Sequence, residues 1–81
     1  MISCAHYDYI EIACMYHYEI RLTLKSGEII EGIALDTARN VSLEECIKIK
    51  TDQTENLVIL NHIVTLEALI NNPHFQTISF A

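Results

Sequence analysis

The stretch YEIRLTLKSGEIIEGIALD, residues 18–36, gives the clearest structural signal in this 81-residue chain, that of a β-hairpin. Its first half alternates apolar with polar side chains, which is the pattern of a β-strand that buries one face. Ser26 and Gly27 then supply a tight hairpin turn, because glycine adopts positive φ without steric cost. The chain returns as a second strand up to Asp36, and Gly32 in its middle predicts a bend or a bulge. The apolar positions of the first strand are Tyr18, Ile20, Leu22 and Leu24.

Beyond this hairpin, short apolar runs separated by polar turns predict further strands. They cover about residues 43–51, 57–60, 63–66 and 75–80. The run 57–60 is apolar throughout, which is typical of a strand covered on both faces. The segment 67–72 fits either a strand or a helical turn. Such a series of short antiparallel strands most simply forms a small, strongly bent barrel.

A short amphipathic helix is predicted before the hairpin, at about residues 8–17. Asp8 is placed to cap its first turn, and Glu11 follows at the spacing of a capping box. An isolated helix of about ten residues is marginal in water, so this one must pack on the sheet. Its apolar stripe, at helical spacing, consists of Ile10, Ala13, Cys14 and His17.

These elements predict a mainly β (α+β) protein with one domain over residues 1–81. The helix covers about residues 8–17, and a bent antiparallel barrel of five to six strands covers about residues 18–80. Hydrophobic residues make up 51% of the chain, which favours a packed globule over a disordered chain.

The charge is acidic and unevenly distributed. Eleven Asp and Glu residues face five Lys and Arg, for a net charge of −6, and no Lys or Arg precedes Arg21. Such a surface repels phosphate backbones, because nucleic-acid affinity rests on cations that displace condensed counterions. It attracts basic proteins, especially those whose basic surface holds RNA or DNA. The alternative interpretation is ordinary solubility charge.

The cysteines and the apolar runs indicate where in the cell the protein is expected to be found. Cys4, Cys14 and Cys46 form an odd, scattered set, and no secretion-signal pattern opens the sequence. The longest apolar stretch, Leu57–Ile70, is too short and too polar to cross a bilayer. We therefore expect a cytoplasmic protein with no membrane association.

Three other chemistries compete with a protein-binding function. Zinc is the first, because Cys4, His6, Cys14 and His17 have ligand chemistry, although they lack the paired spacing of structural zinc sites. Direct RNA binding is the second, because tyrosines can stack on bases, although acidic residues dilute the cations. Catalysis is the third, and the sequence contains no phosphate loop, nucleophile elbow or zinc-protease motif. We expect no catalytic residues, no cofactor and no bound metal.

The N-terminal residues also resemble a known family. The pattern Ile2-x-Cys4-x-x-Tyr7-Asp8-x-x-Glu11-x-Ala13-Cys14 is similar to the N-terminal signature of the bacterial Rho-binding antiterminators called Rof. A histidine, an alternating strand, a Lys-Ser-Gly-Glu turn and a bent second strand follow in that family's order. The resemblance covers nearly the whole chain, and its specific part is the first third.

The resemblance implies an Sm-like domain that acts on the transcription terminator Rho. Rof proteins bind the N-terminal RNA-binding domain of Rho, cover its primary RNA site and inhibit Rho-dependent termination. By this resemblance the partner is a protein rather than a nucleic acid, and we expect the chain itself to be a monomer. The acidic balance of the sequence suits competition with RNA for a basic surface.

The resemblance also places the partner contact. It implies that Tyr7, Asp8 and Glu11, near the helix start, touch Rho. His6 is a secondary candidate, and so is the acidic pair Glu44 and Glu45, for which a solvated strand end is the alternative. Ala5 and His6 stand where the family is expected to carry a further acid, which removes one negative charge from this surface.

Overall fold

A computed structural model describes residues 3–80; Met1, Ile2 of the signature, and Ala81 lie outside the described residues. One α-helix precedes six β-strands, as expected for a mainly β chain with an N-terminal helix. The elements are α1 Cys4–Met15, β1 Glu19–Leu24, β2 Ile29–Arg39, β3 Glu45–Thr51, β4 Thr54–Ile59, a 3-10 turn Leu60–His62, β5 Ile63–Ala68 and β6 Thr77–Ser79.

The strands form one antiparallel sheet in the order β4-β3-β2-β1-β5-β6. The prediction of five to six antiparallel strands is confirmed, with six present among residues 3–80. The barrel is not closed, because the outer strands β4 and β6 do not pair with each other among residues 3–80. β6 has only three residues, and all three pair with β5, so the sheet ends in a very short edge strand. The result is a bent, open sheet.

The bend lies in β2, whose two halves pair with different neighbours. Residues 29–33 pair with β1, whereas residues 33–39 pair with β3. The register shifts between Ala34 and Asp36, so the irregularity lies at Leu35 and not at Gly32, where a bend or bulge was predicted. A bulge of this kind bends a strand and increases its twist.

Gly32 is needed for a different reason, because strand β3 passes very close to it. A Cβ atom at this position would lie 2.3 Å from the backbone oxygen of Lys50 and 3.0 Å from Cγ1 of Ile49. Only glycine lets the two backbones come so near without a shift.

Helix α1 begins four residues earlier than predicted. Its N-cap is Ser3, whose Oγ accepts a hydrogen bond from the backbone N–H of His6 at 3.2 Å. Asp8 lies inside the helix, so the predicted Asp8–Glu11 capping box is wrong. Serine is as good a cap as aspartate, and the earlier start adds a full turn of backbone hydrogen bonds.

The helix also ends earlier than predicted, at Met15. His17 has a φ of 51°, in the left-handed region, which stops the helix before its side chain can join the apolar stripe. His17 is exposed as a result. The rest of the stripe is confirmed, since Ile10, Ala13 and Cys14 are buried against the sheet.

The core lies between this helical stripe and the concave face of the sheet. Strand β4 covers it from one side only, since Val58 is buried while Leu57 is 45% exposed. The prediction of a strand covered on both faces is therefore wrong, because β4 is an edge strand of a single sheet. The core residues are Ile10, Ala13, Cys14, Tyr18, Ile20, Leu22, Ala34, Ile47, Ile49, Val58, Leu60, Ile63, Leu66 and Phe75.

On the solvent face, Arg21 links the three central strands. Its guanidinium donates to the Glu31 carboxylate of β2 at 2.6 Å and to the Glu67 carboxylate of β5 at 3.0 Å. All three side chains are partly exposed, so each pair contributes at most about 1 kcal/mol. Glu67 belongs to β5, which ends at Ala68. The segment 67–72, for which a strand and a helical turn were both considered, therefore begins as a strand.

Replacing Gly32 tests the close contact between β2 and β3. Gly32→Ala should lower the free energy of unfolding by about 2 kcal/mol or more, because the new methyl group collides with backbone rather than with a movable side chain. Urea unfolding measures the change. Gly27→Asn is the matched control: its position is open, and asparagine tolerates its φ of 91° better than most residues, so we expect a loss below about 1 kcal/mol. Equal losses in the two variants would contradict this account.

Candidate functional site

The outer face of α1 carries the predicted contact residues. Because Ile10 and its neighbours in the stripe face the sheet, the helix must turn Asp8 and Glu11 away from it. Both carboxylates are exposed, and Tyr7 is half-buried at the border between the two faces. The outer face of the helix therefore presents negative charge to the solvent, and Asp8 lies beside an aromatic ring.

A surface groove runs along Tyr7. One depression is bordered by Ser3, Cys4, Tyr7, Asp8 and Glu45. A second depression shares Tyr7 and Glu45 and extends to Leu43, Glu44, Arg39, Ile59, Leu60 and Asn61. We call the two together the Tyr7 groove. It brings the helix start and the acidic pair of residues 44 and 45 to one place.

Strand pairing explains this meeting of distant residues. The last residue of β2, Arg39, pairs with the first residue of β3, Glu45, and β2 is the strand on which α1 packs most extensively. The acidic pair is thereby carried to the first turns of the helix. Although Arg39 and Glu45 are opposite each other, their charged groups do not approach within the 4.0 Å of an ion pair, unlike those of Arg21.

Glu11 borders a different depression, on the other side of the helix. This depression also includes Asp36, His17 and Cys14. Burial, with the negative charges of Asp36 and Glu11, raises the pKa of Cys14 to about 12. A second group of negative charge therefore lies toward the C-terminal half of the helix, beside β2.

His6 is not in the groove. Its ring lies edge-on against Phe80 with the ring centroids 4.9 Å apart, so it packs on the C-terminal segment of the chain. Of the predicted contact residues, the structure thus brings together Tyr7, Asp8, Glu44 and Glu45, keeps Glu11 nearby on the same helix, and turns His6 elsewhere.

Arg39 and Leu43 are among the groove residues that were not predicted. Both come from the end of β2 and the loop after it, more than thirty residues from Tyr7 in the sequence. An isolated cation and an isolated leucine give no local pattern that marks a surface site. Only the pairing of β2 with β3 places them beside the helix.

The side chains considered for zinc do not converge. Cys4 is exposed in the first turn of α1, Cys14 is buried on the side of α1 that faces the sheet, and His17 is exposed beyond the helix end. Within residues 3–80, no group of three or more His, Cys, Asp or Glu side chains is placed to hold a metal ion. In the same range, no helix combines the length and apolar character needed to cross a membrane.

Comparisons with known proteins match almost the whole chain. The model of a family described as "Modulator of Rho-dependent transcription termination (ROF)" matches residues 1–80. Protein rof of Escherichia coli (strain K12) and Protein rof of Shigella flexneri are each 32% identical to the chain over 56 residues, 69% of this chain and 67% of theirs. The solved structure of YaeO bound to magnesium from Vibrio cholerae O395 superposes with a TM-score of 0.89 at 43% identity, covering 93% of this chain and 97% of that one.

The placement of the cysteines predicts a selective thiol reactivity. Only Cys4 is exposed, so one of the three thiols should react rapidly with Ellman's reagent at pH 8 in the native protein, and all three after unfolding in guanidinium. Cys14 is protected both by burial and by its raised pKa. Cys4→Ser should abolish the fast phase. A second fast thiol in that variant would contradict the packing of α1 on the sheet.

Proposed function

Because this chain belongs to the ROF family of modulators of Rho-dependent transcription termination, we propose that it binds the N-terminal RNA-binding domain of Rho and blocks RNA loading there. The family is regulatory, and the chain is not an enzyme. The observation that carries the proposal is the exposure of Asp8 and Glu11 on the outer face of α1, where Asp8 borders the Tyr7 groove together with Glu45.

The mechanism is electrostatic and steric competition. A surface that holds RNA is cationic, because it must replace the counterions of the phosphates. The first twenty residues of this chain contain Asp and Glu but no Lys or Arg. The outer face of α1 is therefore attracted to such a cationic surface. Once docked, the folded sheet behind the helix occupies the space through which a transcript would enter.

Tyr7 supplies the apolar part of this contact. Its ring is half-buried between α1 and the start of β3, which limits the conformational entropy that it would lose on binding. Tyrosine residues of this kind dominate the energetics of many protein interfaces, since one end is apolar and the other forms hydrogen bonds.

Glu45 compensates for the acid missing at positions 5 and 6. The sequence has Ala5 and His6 there, and the ring of His6 packs on Phe80. Glu45, however, borders the same depression as Asp8. In the proposed complex it provides negative charge at the helix start from a different element of the fold.

The proposal includes three further statements. The chain acts as a monomer, it binds Rho rather than RNA itself, and it works in the cytoplasm, where Rho meets nascent transcripts.

Competition with RNA is the direct test of this proposal. Increasing amounts of the protein should displace a labelled single-stranded RNA from Rho hexamers, and the displacement should weaken as salt rises, because exposed charges are screened beyond about 10 Å at 0.1 M. Fluorescence anisotropy of the RNA measures it. The same titration without Rho should leave the anisotropy unchanged; a rise there would show direct RNA binding instead. Undiminished RNA binding by Rho at large excess of the protein would contradict the mechanism.

Charge reversal at the helix start tests the contact surface. Asp8→Lys combined with Glu11→Lys should weaken binding to Rho by about tenfold or more, because attraction becomes repulsion at the interface. Isothermal titration calorimetry measures the affinity. The matched control, Glu28→Lys with Glu55→Lys, changes the net charge equally but at exposed sites on the hairpin turn and on β4. If both double variants lost the same affinity, net charge rather than the helix face would be responsible.

A further inference from the structure

The loop between β2 and β3 is short and internally braced. The side-chain oxygen of Asn40 accepts hydrogen bonds from the backbone N–H groups of Ser42 and Glu44, both at 3.0 Å. Its side-chain nitrogen donates to the Glu44 carboxylate at 3.1 Å. The backbone adds two more bonds, from the N–H of Asn40 to the carbonyl of Glu44 at 3.2 Å and from the N–H of Leu43 to the carbonyl of Asn40 at 2.9 Å. One side chain thus holds the loop in a defined conformation.

A buried thiol anchors the loop from below. Cys46 is 1% exposed, and its Sγ donates to the carbonyl oxygen of Glu44 at 3.4 Å. Burial raises the pKa of the Cys46 thiol, which keeps the proton needed for this bond. The loop is therefore held both by its own hydrogen bonds and by a hydrogen bond to a buried residue of β3.

This rigid loop displays two aliphatic side chains to water. Val41 is fully exposed and Leu43 is 71% exposed. Leu43 also has a φ of 63°, in the left-handed region that bulky side chains rarely adopt. Neither feature stabilises the isolated fold. Backbone strain at an exposed apolar residue is typical of a binding surface, where the strain serves pre-organisation.

The position of Leu43 identifies what covers the loop. Leu43 borders the Tyr7 groove together with Glu44 and Glu45. A partner that fills the part of the groove along this acidic pair meets Leu43 as well. An occupant with both a cationic and an apolar contact region fits this surface, and a protein surface offers both.

We propose that the loop Asn40–Glu44 is a pre-formed apolar anchor that seats Val41 and Leu43 on the N-terminal domain of Rho, next to the charged contact of the helix. The inference rests on the proposed function. The two parts of the interface affect different rates. The acidic residues of the helix raise the association rate, and the apolar anchor lowers the dissociation rate. Because the loop is already ordered, little conformational entropy is lost when the anchor is buried.

The test separates binding from folding by the choice of substitution. Val41→Ser combined with Leu43→Asn removes the apolar surface, while asparagine is better suited than leucine to the left-handed backbone. The variant should therefore melt at the wild-type temperature or above. Its Kd for Rho hexamers should rise by about tenfold or more, because burying a leucine side chain is worth at least that factor. Surface plasmon resonance should place the change in the dissociation rate, with the salt dependence of association unchanged.

Two further variants exclude simpler explanations. Ile29→Ser removes an aliphatic side chain that is 58% exposed at the opposite end of β2, and it should leave the Kd unchanged. Leu43→Met keeps an apolar side chain on the same backbone and should bind within about twofold of wild type, since volume-conserving apolar exchanges cost little.

The outcomes distinguish the two proposals. If the wild-type protein binds Rho and the Val41→Ser, Leu43→Asn variant binds equally well, the anchor is refuted while the proposed function stands. If Leu43→Met binds as weakly as the asparagine variant, the apolar surface is not responsible and the anchor is again refuted. If the wild-type protein does not bind Rho at all, the proposed function fails, and the anchor fails with it.

Discussion

The structure depends on one packing contact, the seating of the apolar stripe of α1 against the bent sheet. A helix of twelve residues is marginal alone, and an open sheet leaves its concave face uncovered. Burial of Ile10, Ala13 and Cys14 both stabilises the helix and covers the sheet. Full burial of Ile10 alone contributes about 1.5–3 kcal/mol. The same contact fixes the rotation of the helix, so it also determines that Asp8 and Glu11 face the solvent.

The bend of β2 extends this single contact into a composite surface. The irregularity at Leu35 turns the second half of the strand toward the helix, and Gly32 lets β3 pack closely against the first half. Strand β3 then begins at the helix N-terminus, and its first residue is Glu45. Negative charge from two distant parts of the sequence thus gathers around Tyr7, and the braced loop before β3 lies at its edge.

Local patterns were sufficient to predict the hairpin, the fold class and three of the four residues of the helical stripe. They failed for features that depend on tertiary structure, such as the first residue of the helix and the exposure of an edge strand. Ser3 and Asp8 are both good N-caps, and the choice between them depends on how many turns the sheet can cover. An apolar run such as 57–60 does not reveal that its strand lies at an edge. In the site, Tyr7, Asp8 and the acidic pair were selected from the sequence and its family resemblance. Their proximity, and the position of Arg39 and Leu43 beside them, follow from long-range strand pairing.

If Rho occupies the face formed by the first two turns of α1 and the Tyr7 groove, as proposed, titrating its N-terminal domain into the isotope-labelled protein should shift the amide resonances of that face. We expect the largest perturbations in residues 4–11 and 40–45, with β6 and the turn around Gly27 unaffected. Perturbations concentrated on β6 or on that turn, with residues 4–11 unchanged, would contradict the proposed interface.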